Sequence, residues 1–234
     1  RASLRYADTV LIDTRAQAAR LRMHMGDQGP PIVPVPVGID ETCWRPLEQP
    51  SVDGPVIVLF WGTFIPLHGI DTIVSAAALL DAASVPVRLH LVGDGQTAPG
   101  IAAQLDDAAL ENVCWERRLL STPELLLRAS RAHIVLGIFG TSDKAAQVVP
   151  YKVHQGLALN RPVVTRHSCE LEPFADSDRG LVLIEAGDAH ALADAIERTA
   201  MRISNGWKPA TSSIFQEAFS RKVVRKALER AIAK

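Results

Sequence analysis

The chain has 234 residues, 47% hydrophobic and 22% charged, and its 25 Lys and Arg nearly balance 26 Asp and Glu for a formal net charge of −1. That is the composition of an ordinary globular protein with a sizeable core, and it gives no electrostatic hold on nucleic acid or an anionic membrane. Cys43, Cys114 and Cys169 are odd in number and scattered, without a C-x-x-C spacing, which argues against a disulfide framework or a zinc site and fits a reduced, cytoplasmic compartment.

No apolar run approaches the roughly 20 residues that span a bilayer. The chain opens at Arg1 with neither an initiator Met nor a signal-like segment, so it reads as a fragment of a longer protein. Ala7 to Thr14 reads as a strand. Asp13 or Thr14 caps a helix through about Met25, with Ala18, Leu21 and Met25 as its apolar stripe, and the Gly29-Pro30-Pro31 run ends it.

From about Ile32, short apolar strands alternate with helical segments, as a parallel sheet covered on both faces requires. The predicted strands are Val33–Val37, Val56–Phe60, Arg88–Val92, Val113–Trp115, His133–Ile138, Val163–Thr165 and Gly180–Leu183. Asp71 is read as the cap of a helix carrying Ile73, Val74, Ala77 and Leu80, and Thr97–Leu110 as a second helix. Ser121-Thr122-Pro123-Glu124 is a capping box that opens a third through Ala129. Asp188–Met201 follows. Ile214 to Ile232 is read as one amphipathic helix with Ile214, Phe215, Ala218, Phe219, Val223, Ala227, Leu228 and Ala231 on one side. The fold class is therefore α/β, a doubly wound parallel sheet.

The stretch Gly137 to Thr165 carries the chemistry. Pro150 suits a first helical position, where its missing N–H has no partner to lose. The amides around Val149, Tyr151 and Lys152 then point outward at the positive end of the helix dipole, and Lys152 adds a full charge. Gln155 stands three residues further on the same face, so an anion at the helix mouth and a diol one turn in can be held together.

This arrangement resembles the nucleotide-sugar site of retaining GT-B glycosyltransferases of the group 1 type. In them two acidic residues separated by seven others surround such a helix. Gln147 and Gln155 fall at those two positions, a departure at both. Phe60 to Ile70 resembles the family's glycine-rich first turn, Leu91 to Gly95 its second, and Pro34 to Asp40 its interdomain entry. The resemblance implies that residues 1–29 are the last strand and helix of a mostly missing N-terminal acceptor domain, and residues 30–205 a nucleotide-sugar donor domain. Residues 206–234 would then be a helix that crosses back to pack on that missing domain.

The resemblance also implies a donor substrate, a nucleoside diphosphate sugar, and an acceptor of unspecified kind (glycan, lipid-linked or small molecule), with no cofactor, no metal and no nucleic acid. Lys152 neutralises the leaving diphosphate, and Val149, Pro150 and Tyr151 supply the helix mouth. Gly62 lets backbone approach the ligand, while Thr63 and His68 stand where the family has Arg and Lys, with Arg117 or Arg118 available to compensate. Gln155 reaches the ribose and Gln147 the sugar, under the turn Gly137 to Gly140 and the loop to Lys144. Backbone near Arg118 and Leu119 reads the base. Trp115 is expected in the core, and Asp94 in a structural turn. Glu170 and Glu172 read as a solvated turn. The implied reaction is sugar transfer with retention, by a whole protein at most peripheral to the membrane, the fragment itself being inactive. A non-catalytic nucleotide-binding or interaction module, including a doubly wound response domain, and a nucleotide-sugar epimerase remain open.

Overall fold

The computed structural model describes residues 3–26 and 29–232. β1 (Val10–Ile12) and β2 (Ile32–Pro34) pair in parallel around α1 (Arg15–Met25), and they form a small sheet apart from the main one. Pro34 and Pro36 have no N–H for a ladder, which is why β2 stops short of the predicted Val37.

The main sheet has six parallel strands in the order β5-β4-β3-β6-β7-β8. They are β3 (Val56–Trp61), β4 (Val87–Val92), β5 (Val113–Glu116), β6 (Ile134–Leu136), β7 (Val163–Arg166) and β8 (Leu181–Ile184). β3 shows why sequence hydrophobicity there is continuous. Val58 and Phe60 enter one core with α2 (Ile70–Ala82), α3 (Ala98–Ala108) and α7 (Ala189–Ser204), whereas Leu59 and Trp61 enter a second core with α4 (Thr122–Arg131) and α6 (Tyr151–Ala158). The short helix α5 (Asp143–Ala146) links β6 to α6. This is the expected doubly wound α/β architecture. The chain runs outward from β3 through β4 and β5, then returns to β6 on the other side, so the crevice for a ligand opens above the ends of β3 and β6.

Two local expectations are corrected. The cap of α2 is Gly69, not Asp71, which sits in the first turn. Gly69 adopts φ +62, and a Cβ there would stand 2.6 Å from the Phe139–Gly140 backbone, so only glycine lets the two loops interlock. The C-terminal segment is two helices, α8 (Thr211–Ala218) and α9 (Arg221–Ile232), rather than one. Phe219 breaks them by turning inward to stack on His154 at 4.2 Å, and the Ser220 carbonyl restarts the ladder by accepting from Val224 N–H. No described helix is long and apolar enough to cross a membrane.

The N-terminal unit is fastened to the rest by a few polar contacts. Thr14 caps α1 by accepting from Gln17 N–H, and its hydroxyl donates to the Gln147 carbonyl at 2.6 Å. Glu170 accepts from Ala16 N–H and pairs with Arg15 at 3.2 Å, so it is a fastening residue and not a solvated one.

Candidate functional site

α6 starts after Pro150, which is its N-cap with φ −64 and ψ 140; Tyr151, not Pro150, is the first helical residue. The helix enters the second core through Val153 and Leu157, which leaves Lys152 and Gln155 on its other side, facing the end of β3. Lys152 is 6% exposed, and its Nζ is enclosed without any hydrogen-bond partner among the described residues. The face of the Phe60 ring lies 3.9 Å from Nζ. Burial holds the amine well below its usual lysine range, and the ring gives back only part of what hydration would supply.

Gly62 and His68 complete this corner. A Cβ on Gly62 would stand 3.1 Å from Lys152 Nζ and 3.2 Å from the His68 ring, so the glycine, at φ +143, keeps the space between the two open. Gly62→Ala is expected to lower stability by about 1–2 kcal/mol through backbone strain and to weaken ligand binding. Chemical denaturation and titration side by side would check it: unchanged binding would remove Gly62 from the site.

His68, which stands where the family has a Lys, does not replace that charge. Its Nδ1 faces the Thr63 carbonyl, which can only accept, so Nδ1 carries the hydrogen and Nε2 is left as an acceptor. Burial, followed by the nearby Lys152, lowers its pKa to about 4, so it is neutral at pH 7. The compensating arginines are also engaged elsewhere. Arg117 pairs with Asp94 at 3.1 Å, and Arg118 lies between Glu116 and Glu124 at 2.7 and 2.9 Å. Lys152 is thus the candidate cation left without a carboxylate.

Gln155 is 6% exposed, and its Oε1 accepts from Trp61 Nε1 at 3.2 Å. Trp61 in turn lies 6.4 Å from Trp44, with the rings nearly parallel at 11°. Gln147 is elsewhere: its carbonyl and side chain meet Thr14 and Arg20 of the N-terminal unit, not Lys152. Thr63 and Leu119 are exposed, Val149 is half-buried, and Tyr151 stands 46% exposed beside Lys152. Trp115 is not fully in the core but partly buried against it, stacked on Phe64 and donating to the Gly93 carbonyl; Asp94 holds its turn by accepting from Gly95 N–H. The turn Gly137 to Gly140 locks the His68 turn in place, with Phe139 N–H donating to the His68 carbonyl at 3.0 Å.

Sequence reasoning missed Phe60, Trp61 and Trp44 as the walls of this corner. The predicted strand ends at Phe60, so Trp61 is assigned to neither face of the sheet. His154 was missed too. It is 2% exposed, its Nδ1–H donates to the Val37 carbonyl, and burial lowers its pKa to about 4. It borders a cavity of about 300 Å³ between the N-terminal unit and α8. Among the described residues no cluster of His, Cys, Asp and Glu could hold a metal ion.

Residues 55–201 match the model of the family described as glycosyl transferases, group 1. No curated protein matches the sequence. Among solved structures, sucrose-phosphate synthase from Thermosynechococcus elongatus superposes with a TM-score of 0.77 at 20% identity, over 98% of this chain and 58% of that one. HepE from Anabaena, in complex with UDP and glucose, gives 0.78 at 15% identity over 99% and 64%. A TarM mutant from S. aureus, in complex with fondaparinux, alpha-GlcNAc-glycerol and UDP, gives 0.76 at 17% identity over 99% and 45%. The chain therefore spans between 45% and 64% of the length of these structures.

Proposed function

The chain belongs to the group 1 glycosyl transferases, and from that premise we propose that it is the donor-binding part of an enzyme that transfers a sugar from a nucleoside diphosphate sugar, with retention, to an acceptor. The observation that carries this reading is the Lys152 amine, enclosed at the mouth of α6 beside Gly62 with no hydrogen-bond partner or counter-charge among the described residues. Buried charges are normally paired. A pyrophosphate supplies the missing partner, and the amides at the start of α6 supply further donors along the helix dipole. Lys152 then acts by stabilising negative charge on the departing diphosphate, an electrostatic role fixed before the reaction begins.

On this reading residues 1–29 belong to an acceptor domain completed by further chain, residues 30–205 hold the donor, and residues 206–234 return towards the acceptor domain. The whole protein is proposed to be cytoplasmic, at most peripheral to the membrane, and the fragment alone to transfer no sugar. Two features favour a second reading, a nucleotide-binding module without catalysis: Gln147 turned towards the N-terminal unit, and Gln155 bonded to Trp61. Calorimetric titration with UDP, ADP and GDP tests the shared premise. One of them is expected to bind in the micromolar to millimolar range; failure of all three would overturn the donor site. Transfer by the full-length protein then separates enzyme from module.

A further inference from the structure

Gln155 and Trp61 form a side-chain pair whose orientation is fixed by chemistry. An indole N–H donates and cannot accept, so the Gln155 atom that faces it at 3.2 Å must be Oε1. Trp61 is held there by its place in β3 opposite Val92 and by the Trp44 ring. In a planar amide the NH2 group points away from the oxygen. Among the described residues Gln155 Nε2 makes no hydrogen bond and is not fully enclosed, so it is the end of this amide that is free for a ligand. Lys152 lies one turn earlier on the same face. The face of α6 towards the end of β3 therefore carries N–H donors at both positions, with the Gln155 carbonyl acceptor turned towards Trp61.

We infer that Gln155 makes this site indifferent to the 2′-hydroxyl, so that it takes 2′-deoxyribonucleoside diphosphates as readily as ribonucleoside diphosphates. The inference rests on the reading that Lys152 holds the diphosphate and that the nucleoside sugar lies one helical turn further in. A vicinal diol is selected by an acceptor that takes its two O–H groups, and a sugar lacking one of them leaves that acceptor unpaired. Here the acceptor is bonded to Trp61 and turned away from the side that carries Nε2. An N–H donor is satisfied equally by the 3′ or the ring oxygen, and both sugars carry these.

The test titrates whichever of UDP, ADP or GDP binds best and then its 2′-deoxy counterpart. The two dissociation constants are expected to agree within about threefold. In Gln155→Glu one carboxylate oxygen stays with Trp61 and the other is free for the diol, so a ribose preference of about tenfold or more is expected. Trp61→Phe, which frees Oε1 without adding charge, is expected to move the ratio the same way. A tenfold ribose preference in the unmodified chain would overturn the inference and leave the Lys152 reading intact. A flat ratio in both variants would overturn the placement of the sugar at Gln155. No binding by any nucleotide, ribose or deoxyribose, would overturn the donor site and the inference with it.

Discussion

Lys152→Met is expected to do two opposite things: weaken nucleoside diphosphate binding by about 1–3 kcal/mol, roughly 5- to 150-fold in Kd, and stabilise the unliganded protein by about 1–2 kcal/mol. Both follow from the same enclosed amine. Among the described residues it has no hydrogen-bond partner, and a thioether of similar length fills the space against Phe60 without losing hydration. With a diphosphate present the methionine has nothing to donate. The pH dependence follows by linkage. The folded pKa of Lys152 is depressed well below the ordinary value of 10.5, so between the two the unfolded chain carries the extra proton. Stability therefore rises with pH across that window, and the Met variant lacks this part of the slope. Anion binding favours the charged amine and raises its pKa back towards 10.5, so at a pH between the two values binding is accompanied by proton uptake. Calorimetry in buffers of different ionisation enthalpy should show that uptake in the unmodified chain and not in the variant. A variant that binds UDP, ADP and GDP as the unmodified chain does, or that is destabilised by more than about 1 kcal/mol, would count against the role given to this lysine.

Arg161→Met is expected to have the largest effect on stability, a loss of about 3–4 kcal/mol in urea or guanidinium unfolding, with little change in nucleotide affinity measured below the transition. Arg161 is 0% exposed, and among the described residues it pairs with no carboxylate. Its guanidinium instead donates to the carbonyls of Leu47, Glu48, Ala129 and Ser130 and to Gln49 Oε1, at 2.8 to 3.4 Å. It thus clasps the segment that enters β3 to the end of α4, where the carbonyls of the last turn favour a cation. Burial lowers its pKa only to about 10, so the charge persists at neutral pH. Removing it leaves several buried acceptors without donors, and methionine recovers only the packing. Arg161→Lys should restore part of the loss, since one ammonium reaches fewer carbonyls than the planar fork. A loss below about 1 kcal/mol for Met would show that water or neighbouring side chains take over these acceptors.

The alternation of apolar strands and helices was legible because both faces of a parallel sheet are buried, which leaves long hydrophobic runs such as Val56 to Trp61 bounded by Gly62. Local chemistry also placed Ser121 as a cap, narrowed the cap of α1 to Asp13 or Thr14, and put Lys152 at a helix mouth, since each depends on residues within one turn. What depended on distant contacts was not legible. The switch of α2's cap to Gly69 comes from a backbone 70 residues away at Phe139 and Gly140, and the break at Phe219 from an imidazole on α6. The partners of Arg161 come from two segments on either side of it in space, and nothing in a buried arginine's neighbours along the chain announces them.

The site divides in the same way. The sequence by itself determined which groups were available: one lysine at a helix start, a glycine at a strand end, amides in place of two carboxylates, and Thr63 with His68 at the first turn. Only the tertiary structure decided their states. It turned His68's proton towards Thr63, gave Arg117 and Arg118 to carboxylates, bonded Gln155 to Trp61 and left Lys152 enclosed without a partner among the described residues. The physical reason is that side-chain identity fixes how many hydrogen bonds and what charge a group can have. Burial and the neighbours brought by long-range packing fix which of these remain free for a ligand.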